Sequence, residues 1–298
     1  MISTVLETSS RPSYIYGPVI SWRTGTSLGI DPIGEISTCS FNCSYCQLGK
    51  IQNITRERKV YVETSYIIED LLKAYRQNSF HLNNLDVITF AGSGEPTLAL
   101  NFGEVAKQIK EFTESEKAKV PLSILTNATS LDDETVIKDL ENFDLISLKL
   151  DAVDELSLKS INQAEESISV EKIIAGIKNL KDKSNAELQL QIMFLPKFAN
   201  DNKYIDTIAD KIIELGISKI QINTPNRAKP KSGKNYWIET RGNHYAEAEK
   251  THIDESSREY IELPVISQER AFYIEDRLQE KVTKFLKDFS VINVYKKQ

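Results

Sequence analysis

The residue types that could do unusual chemistry gather in residues 39–46, which read C-S-F-N-C-S-Y-C. Cys39, Cys43 and Cys46 are the only cysteines among 298 residues. An odd number of thiols does not pair completely within one chain, and a reducing compartment disfavours structural disulfides. Free cysteines often fill a core as small hydrophobes. Here Ser40, Asn42 and Ser44 separate them and Gly49 and Lys50 follow, so the stretch reads as a polar loop. A closed zinc site needs a fourth protein ligand. That ligand would have to be His81, His244, His252 or a carboxylate, none at the near spacing such sites favour. A third option is an iron–sulfur cluster. A cubane has four irons, each normally held by a thiolate. Three thiolates leave one iron open, and an open position is what separates a catalytic metal site from a closed structural one. The spacing C-x3-C-x2-C lets one short loop wrap three corners of such a cubane.

A loop of this kind must be carried by a scaffold, and the rest of the chain alternates strand-like with helix-like segments. Apolar strands are expected at 27–33, 85–91, 121–126, 144–150, 187–195 and 218–224. Between them, apolar residues at helical spacing predict helices over 64–77, 102–116, 169–182 and 201–215. Ser130 is the expected cap of a further helix, with Asp132, Asp133 and Glu134 in its first turn. Strands joined by crossover helices pair in parallel. Six such units imply an α/β fold with a curled parallel sheet, a partial barrel. Beyond residue 226 the pattern breaks. Residues 227–264 predict no strand, 267–287 predict a helix capped by Ser267, and 289–295 predict a last strand. The expected organisation is a core over 14–226 and an extension over 227–298 that packs on the barrel and selects the substrate.

Active sites of parallel barrels lie at the C-terminal ends of the strands. The second strand ends in A-G-S-G-E-P-T, where Gly92 and Gly94 permit close backbone approach and Glu95 adds a carboxylate. The third ends in T-N-A-T, with Asn127 able both to donate and to accept. In the fourth, Ser147, Lys149 and Asp151 share one face, opposite Leu148 and Leu150. Gln189, Gln191 and Met193 share a face of the fifth; Gln221 and Asn223 stand on the sixth, followed by Arg227. These polar groups would line one cavity. Lys149, Asp151 and Arg227 are the candidates for catalysis there, and Gln191 and Asn223 for contacts to a bound cofactor or substrate. Arg227 suits a carboxylate or phosphate.

C-S-F-N-C-S-Y-C, with Tyr45 just before its last cysteine, resembles the CxxxCxxC signature of the radical S-adenosylmethionine (radical SAM) superfamily. G-S-G-E-P resembles that superfamily's GGE motif, with Ser93 between the glycines. The resemblance implies a partial (β/α)6 TIM-type barrel and a [4Fe-4S] cluster on Cys39, Cys43 and Cys46. It implies that the open iron binds the amino and carboxylate groups of S-adenosylmethionine. One electron then breaks the sulfonium C–S bond, and the 5′-deoxyadenosyl radical abstracts a hydrogen from the substrate. Tyr45 would flank the adenine. Gly92, Ser93, Gly94 and Glu95 would hold the methionyl end, and Asn127 the ribose or the carboxylate. Residues 16–32 and the segment I-Q-I-N-T-P-N-R are similar to a subgroup related to wyosine-type tRNA-modifying radical enzymes, over roughly residues 14–230. Wyosine synthases carry a second cluster on additional N-terminal cysteines, which this chain lacks.

The substrate is open between a small anionic metabolite, a tRNA and a peptide. Arg227, Lys229, Lys231 and Lys234 would form a phosphate-contacting strip beside the site. An electron donor such as flavodoxin or ferredoxin is implied. A reading of another class is a cluster-binding redox or iron sensor without catalysis, which would give G-S-G-E-P and T-N-A no work. The bulk composition is ordinary for a globular protein, with 40% hydrophobic and 27% charged residues. The net charge of −6 excludes a generally basic nucleic-acid-binding surface. No secretory signal and no membrane-length apolar run is read, so a cytoplasmic enzyme without membrane partners is expected.

Overall fold

A computed structural model describes residues 11–225, 229–230, 260–261 and 263–295. Its main element is an eight-stranded sheet in the order β1-β2-β5-β6-β7-β8-β9-β12. The strands are β1 (Ile15–Ser21), β2 (Gly25–Ile30), β5 (Val87–Phe90), β6 (Leu122–Thr126), β7 (Leu145–Lys149), β8 (Glu187–Met193), β9 (Lys219–Asn223) and β12 (Ser290–Asn293). From β2 through β12 every neighbouring pair is parallel. The six expected strands form the centre of this sheet, and the curled parallel sheet with its helices is a partial TIM-type barrel.

Each central strand carries two kinds of residue, and the period of two separates them. Leu28, Ile88, Ile124, Ile146, Leu190 and Ile220 are buried against the helices. Their neighbours Ser27, Ser123, Ser147, Gln189 and Gln221 face the other way, into the lumen, and they too are buried. The helices that cover the apolar side are α1 (Thr64–Arg76), α2 (Phe102–Ser115), α3 (Glu134–Leu140), α5 (Val170–Lys183) and α7 (Asn202–Leu215). They bury stripes at helical spacing, such as Ile67, Leu71 and Ala74 in α1 and Ile205, Ile208 and Ile212 in α7. Two short helices, α4 (Glu155–Ser157) and α6 (Pro196–Ala199), lie in the connections. Among the described residues no helix is long and apolar enough to cross a membrane.

The structure corrects the sequence reading in several places. β1 pairs antiparallel with β2, where no strand was expected. Its outer half alternates poorly, with Pro18, Val19 and Ile20 all exposed, so it lacks the pattern of a half-buried strand. Ser130 does not cap α3. Asp133 does, accepting from Thr135 N at 2.8 Å, while the Ser130 carbonyl closes a preceding turn with Asp133 N at 3.1 Å. Two-residue strands β10 (Lys229–Pro230) and β11 (Tyr260–Ile261) pair within the stretch read as strandless. The C-terminal helix spans Gln268–Val282, capped by Ser267 as expected but shorter than 267–287. It is fastened to α7 by Arg277, which makes two 2.7 Å bonds to Asp206.

Aromatic packing ties β5, α2 and the turn after α3 together. Phe143 meets Phe90 edge-on at 5.0 Å and stacks on Phe102 at 6.0 Å. Phe143→Ala should destabilise the chain by about 3–5 kcal/mol, read as a lower denaturation midpoint. An unchanged midpoint would show that this cluster does not hold the barrel wall.

Candidate active site

The cysteine loop has little regular structure and is held by its surroundings. Its two ends pair as short parallel strands, β3 (Thr38–Cys39) and β4 (Asn53–Ile54). Within it, Cys46 N donates to Cys43 O at 3.0 Å and Gly49 N to Cys46 O at 3.1 Å. Its outer side docks on a π-helical turn, Leu158–Asn162, that continues α4. The backbone N–H groups of Asn42 and Ser44 donate to the carbonyls of Asn162 and Ile161, at 2.9 and 2.8 Å. π turns of this kind are rare and recur at functional sites.

The G-S-G-E turn holds the loop from the β5 side. Ser93 O accepts from Thr38 N and Thr38 O from Glu95 N, both at 3.0 Å. A Cβ at Gly94 would stand 1.6 Å from Thr38 O, so only glycine permits this pairing. At Gly92 a Cβ would stand 2.4 Å from Asp31 Cγ, and Asp31 in turn accepts from Ser93 N at 3.1 Å. Ser93 is itself fully buried.

Glu95 joins the ends of β5 and β6. Its Oε1 accepts from Thr97 N at 3.1 Å and from the hydroxyls of Thr97 and Thr126 at 2.7 Å. Its Oε2 accepts from Asn127 N at 2.7 Å. Burial pushes this carboxyl above its ordinary range, while the bonds from Asn127, Thr126 and Thr97 pull it back. The Asn127 side chain faces the cysteine loop. Its Nδ2 donates to Ser40 Oγ at 2.8 Å and lies 3.5 Å from Cys39 Sγ, while its Oδ1 accepts from Thr129 N and Oγ1.

On the far side of the loop, Asp151 is a buried hub. Its Oδ2 accepts from the Tyr45 hydroxyl and, at 2.8 Å, from Asn162 Nδ2. Its Oδ1 accepts from Met193 N at 2.9 Å. Lys149 Nζ lies 3.4 Å from Oδ2 and 5.0 Å from the centre of the Tyr45 ring. Asn162 Nδ2 also reaches Cys43 Sγ at 3.4 Å. The shared face predicted for Ser147, Lys149 and Asp151 continues across the lumen. Gln189 bonds Ser147, Lys149 approaches Gln191 Oε1 at 3.5 Å, and Gln191 donates to Gln221 at 3.2 Å. Asn223 accepts from Arg23 at 3.3 Å.

The structure thus links Cys39 with Asn127 and Glu95, and links Cys43 with Tyr45, Asp151, Lys149 and Gln191. Cys46 is partly exposed on the same loop. Arg227, Lys231 and Lys234 lie outside the described residues, and Lys229 falls in β10. Sequence reasoning missed Asn162, Ser40, Thr129 and Asp31. No spacing marks them; each matters only through what the fold brings beside it.

The donor set suits thiolate ligands of a cluster. Amide donors lie at two sulfurs, with Phe41 N at 3.4 Å and Asn127 Nδ2 at 3.5 Å from Cys39 Sγ, and Asn162 Nδ2 at Cys43 Sγ. Such bonds orient ligating sulfurs and temper their charge. Among the described residues no three His, Cys, Asp or Glu side chains converge on a single ion position. A cubane asks instead that each thiol meet its own iron. Without metal, burial pushes the Cys43 thiol up to about 12, with Asp151 and Cys46 acting in the same direction and Lys149 and Asn162 against it. Burial likewise pushes Cys39 well up, reinforced by Glu95, and Tyr45, reinforced by Asp151. Bound cationic metal reverses this balance by stabilising thiolates.

Comparison with known proteins places this geometry. The radical SAM superfamily profile matches residues 36–223. A UPF0026 protein of Synechocystis sp. is 41% identical over 232 residues, covering 77% of this chain and 81% of that protein. A UPF0026 protein of Methanocaldococcus jannaschii is 35% identical over 214 residues, covering 71% of this chain and 63% of that protein. The crystal structure of a radical SAM methyltransferase from Sphaerobacter thermophilus is similar at TM-score 0.54 and 13% identity, over 90% of this chain and 66% of that one. Streptococcus suis SuiB bound to S-adenosylmethionine is similar at TM-score 0.52 and 13% identity, over 89% of this chain but 46% of that one. At such identities these structures share the fold. The chain belongs to the radical SAM superfamily.

Two outcomes follow from the geometry of the loop. Gly94→Ala should leave the far-UV circular dichroism of the barrel intact but cut iron incorporation on reconstitution by about tenfold or more, since Thr38 must move and carry Cys39 with it. Normal iron content in that variant would show that the Thr38–Gly94 pairing does not set the cysteine loop. In the metal-free chain the raised Cys43 pKa keeps its thiol protonated below about pH 12. Its alkylation rate, followed by peptide mass spectrometry, should still climb between about pH 9 and pH 11, whereas a free thiol levels off near its pKa of about 8.5. Levelling near pH 9 would contradict the burial argument.

Proposed function

We propose that this enzyme of the radical SAM type holds one [4Fe-4S] cluster on Cys39, Cys43 and Cys46 and uses it to cleave S-adenosylmethionine reductively. The observation that carries the reading is the three-thiol loop. It is anchored to the G-S-G-E turn on one side and to Asp151 and Asn162 on the other, at the C-terminal mouth of the barrel. When bound, the cluster and S-adenosylmethionine supply a one-electron reduction of the sulfonium and a 5′-deoxyadenosyl radical that abstracts a hydrogen from the substrate. A flavodoxin or ferredoxin is the class of protein suited to deliver that electron.

The chain's own residues bind and orient. Glu95 Oε2 accepts one protein bond against three on Oε1, which favours it as the acceptor for the methionyl ammonium. Gly92, Ser93 and Gly94 seat the backbone of that turn against Asp31 and Thr38, which fixes where Glu95 stands at that end. Asn127 is tied to Ser40 and Cys39, which fixes the carboxylate or ribose end relative to the loop. Tyr45 is held by its hydroxyl on Asp151 and forms the wall for the adenine. Lys149, Asp151, Gln191 and Asn223 border the lumen in which the substrate meets the radical.

Anaerobically reconstituted protein, given S-adenosylmethionine and a strong reductant, should release 5′-deoxyadenosine. Cys43→Ala should lower that release to background, because two thiols leave the cluster unsupported. Undiminished release from the variant would sink the cluster assignment.

A further inference from the structure

The π-helical turn after α4 puts one side-chain amide between a cysteine of the loop and the carboxylate that borders the lumen. Asn162 ends that turn and is 1% exposed. Its Nδ2 donates to Asp151 Oδ2 at 2.8 Å and lies 3.4 Å from Cys43 Sγ, across 119 residues of sequence. A carboxylate only accepts, so the NH2 group of the amide, and not its carbonyl, faces this corner. The nitrogen carries two hydrogens, one for each acceptor. The orientation that serves Asp151 therefore also aims an N–H at the sulfur.

That amide is not what fastens the loop. The ties between loop and turn run through the backbone. Asn42 N donates to Asn162 O, Ser44 N to Ile161 O, and Glu165 N to Ser40 O at 2.9 Å. The Asn42 side chain adds a bond from its Nδ2 to Gln163 Oε1 at 2.8 Å and accepts from Ile51 N at 3.1 Å. Any residue at position 162 supplies the same carbonyl. What the asparagine side chain adds is a donor at Cys43. At Cys39 the donors are Phe41 N, from the loop itself, and Asn127, which Glu95 ties to the G-S-G-E turn. Asn162 stands on the other side of the loop, beside Asp151.

We propose that Asn162 is a positioning residue that raises the reduction potential of the cluster through its N–H on the Cys43 sulfur. The potential of an iron–sulfur cluster depends on hydrogen bonds to its sulfurs and on nearby charge. Reduction adds one electron, delivered by a donor of the flavodoxin or ferredoxin class, and the sulfurs share its negative charge. An N–H at a ligating sulfur stabilises that added charge, so the reduced form gains more from it than the oxidised form. Asp151 acts with the opposite sign, because a buried carboxylate disfavours further negative charge close by. Asn162 stands between the two and offsets the carboxylate at Cys43. This deepens the proposed function and rests on that reading for the presence of the cluster.

The test uses full-length protein reconstituted anaerobically, without S-adenosylmethionine. Iron is counted, and the midpoint potential is read from the electron paramagnetic resonance of the reduced cluster. Asn162→Leu keeps the size of the side chain and Asn162→Ala keeps only the backbone ties; both remove the donor. Each should take up iron as fully as the parent. Each should make the cluster about tenfold harder to reduce by a given donor, a fall of about 59 mV for one electron. Asp151→Asn should move the potential upward. The signs separate this role from a structural one. If Asn162 only held Asp151 in place, its loss would free that charge from the cluster and raise the potential, as Asp151→Asn does. An unchanged or raised potential in the Asn162 variants would overturn the proposal. Loss of iron from both variants would overturn it too, by making the side chain an anchor of the loop. A parent that binds no four-iron cluster would sink the cluster reading along with this one, whereas full iron with unmoved potentials sinks this one alone.

Discussion

The backbone of Thr38 runs so close to Gly94 that no side chain fits between them, and the rest of the site depends on that approach. The cysteine loop lacks helix or strand over most of its length and cannot fix three sulfurs by its own hydrogen bonds. It borrows rigidity instead. Thr38 is paired to the end of β5 immediately before the first cysteine, and the returning chain pairs again at Asn53 and Ile54. Everything between those anchors is then a closed loop of limited freedom, a form of preorganisation suited to a ligand that must be met at several points at once.

The second support is electrostatic. Asp151 is a carboxylate with no exposed side-chain surface, a state that is costly unless charge and hydrogen bonds are matched. Lys149, Tyr45, Asn162 and Met193 N supply the match. Because Tyr45 belongs to the cysteine loop, Asn162 touches it and Lys149 faces the lumen, the residues that match Asp151 also fix the loop against the barrel. The same groups explain why the metal-free thiols resist ionisation: burial and nearby carboxylates disfavour thiolate until a cation arrives.

How much of this was legible in the sequence depended on whether a residue announces itself by period or by spacing. The six central strands were legible because Leu, Ile and Val recur against a buried side. The Ser147–Lys149–Asp151 face was legible because strand side chains alternate. The cysteines were legible by spacing, and the G-S-G-E turn by its position after a strand. β1 was not, since Pro18, Val19 and Ile20 lie together on exposed backbone and break alternation. Ser130 misled because two good caps, Ser130 and Asp133, stand three residues apart, and only the turn between them decides which is used. Asn162 and Arg23 carry no local signal. Asn162 reaches Cys43 across 119 residues through a π turn, and Arg23 reaches Asn223 across the whole curl of the sheet.

The central claim is that three thiols hold a cubane whose fourth iron is left for S-adenosylmethionine, and the most direct measurement is the Mössbauer spectrum of protein reconstituted with 57Fe, with and without that ligand. The account predicts that one iron in four changes its parameters toward higher coordination when S-adenosylmethionine is added, while the other three do not. A fully loaded four-iron cluster whose spectrum is unmoved by saturating S-adenosylmethionine would contradict it.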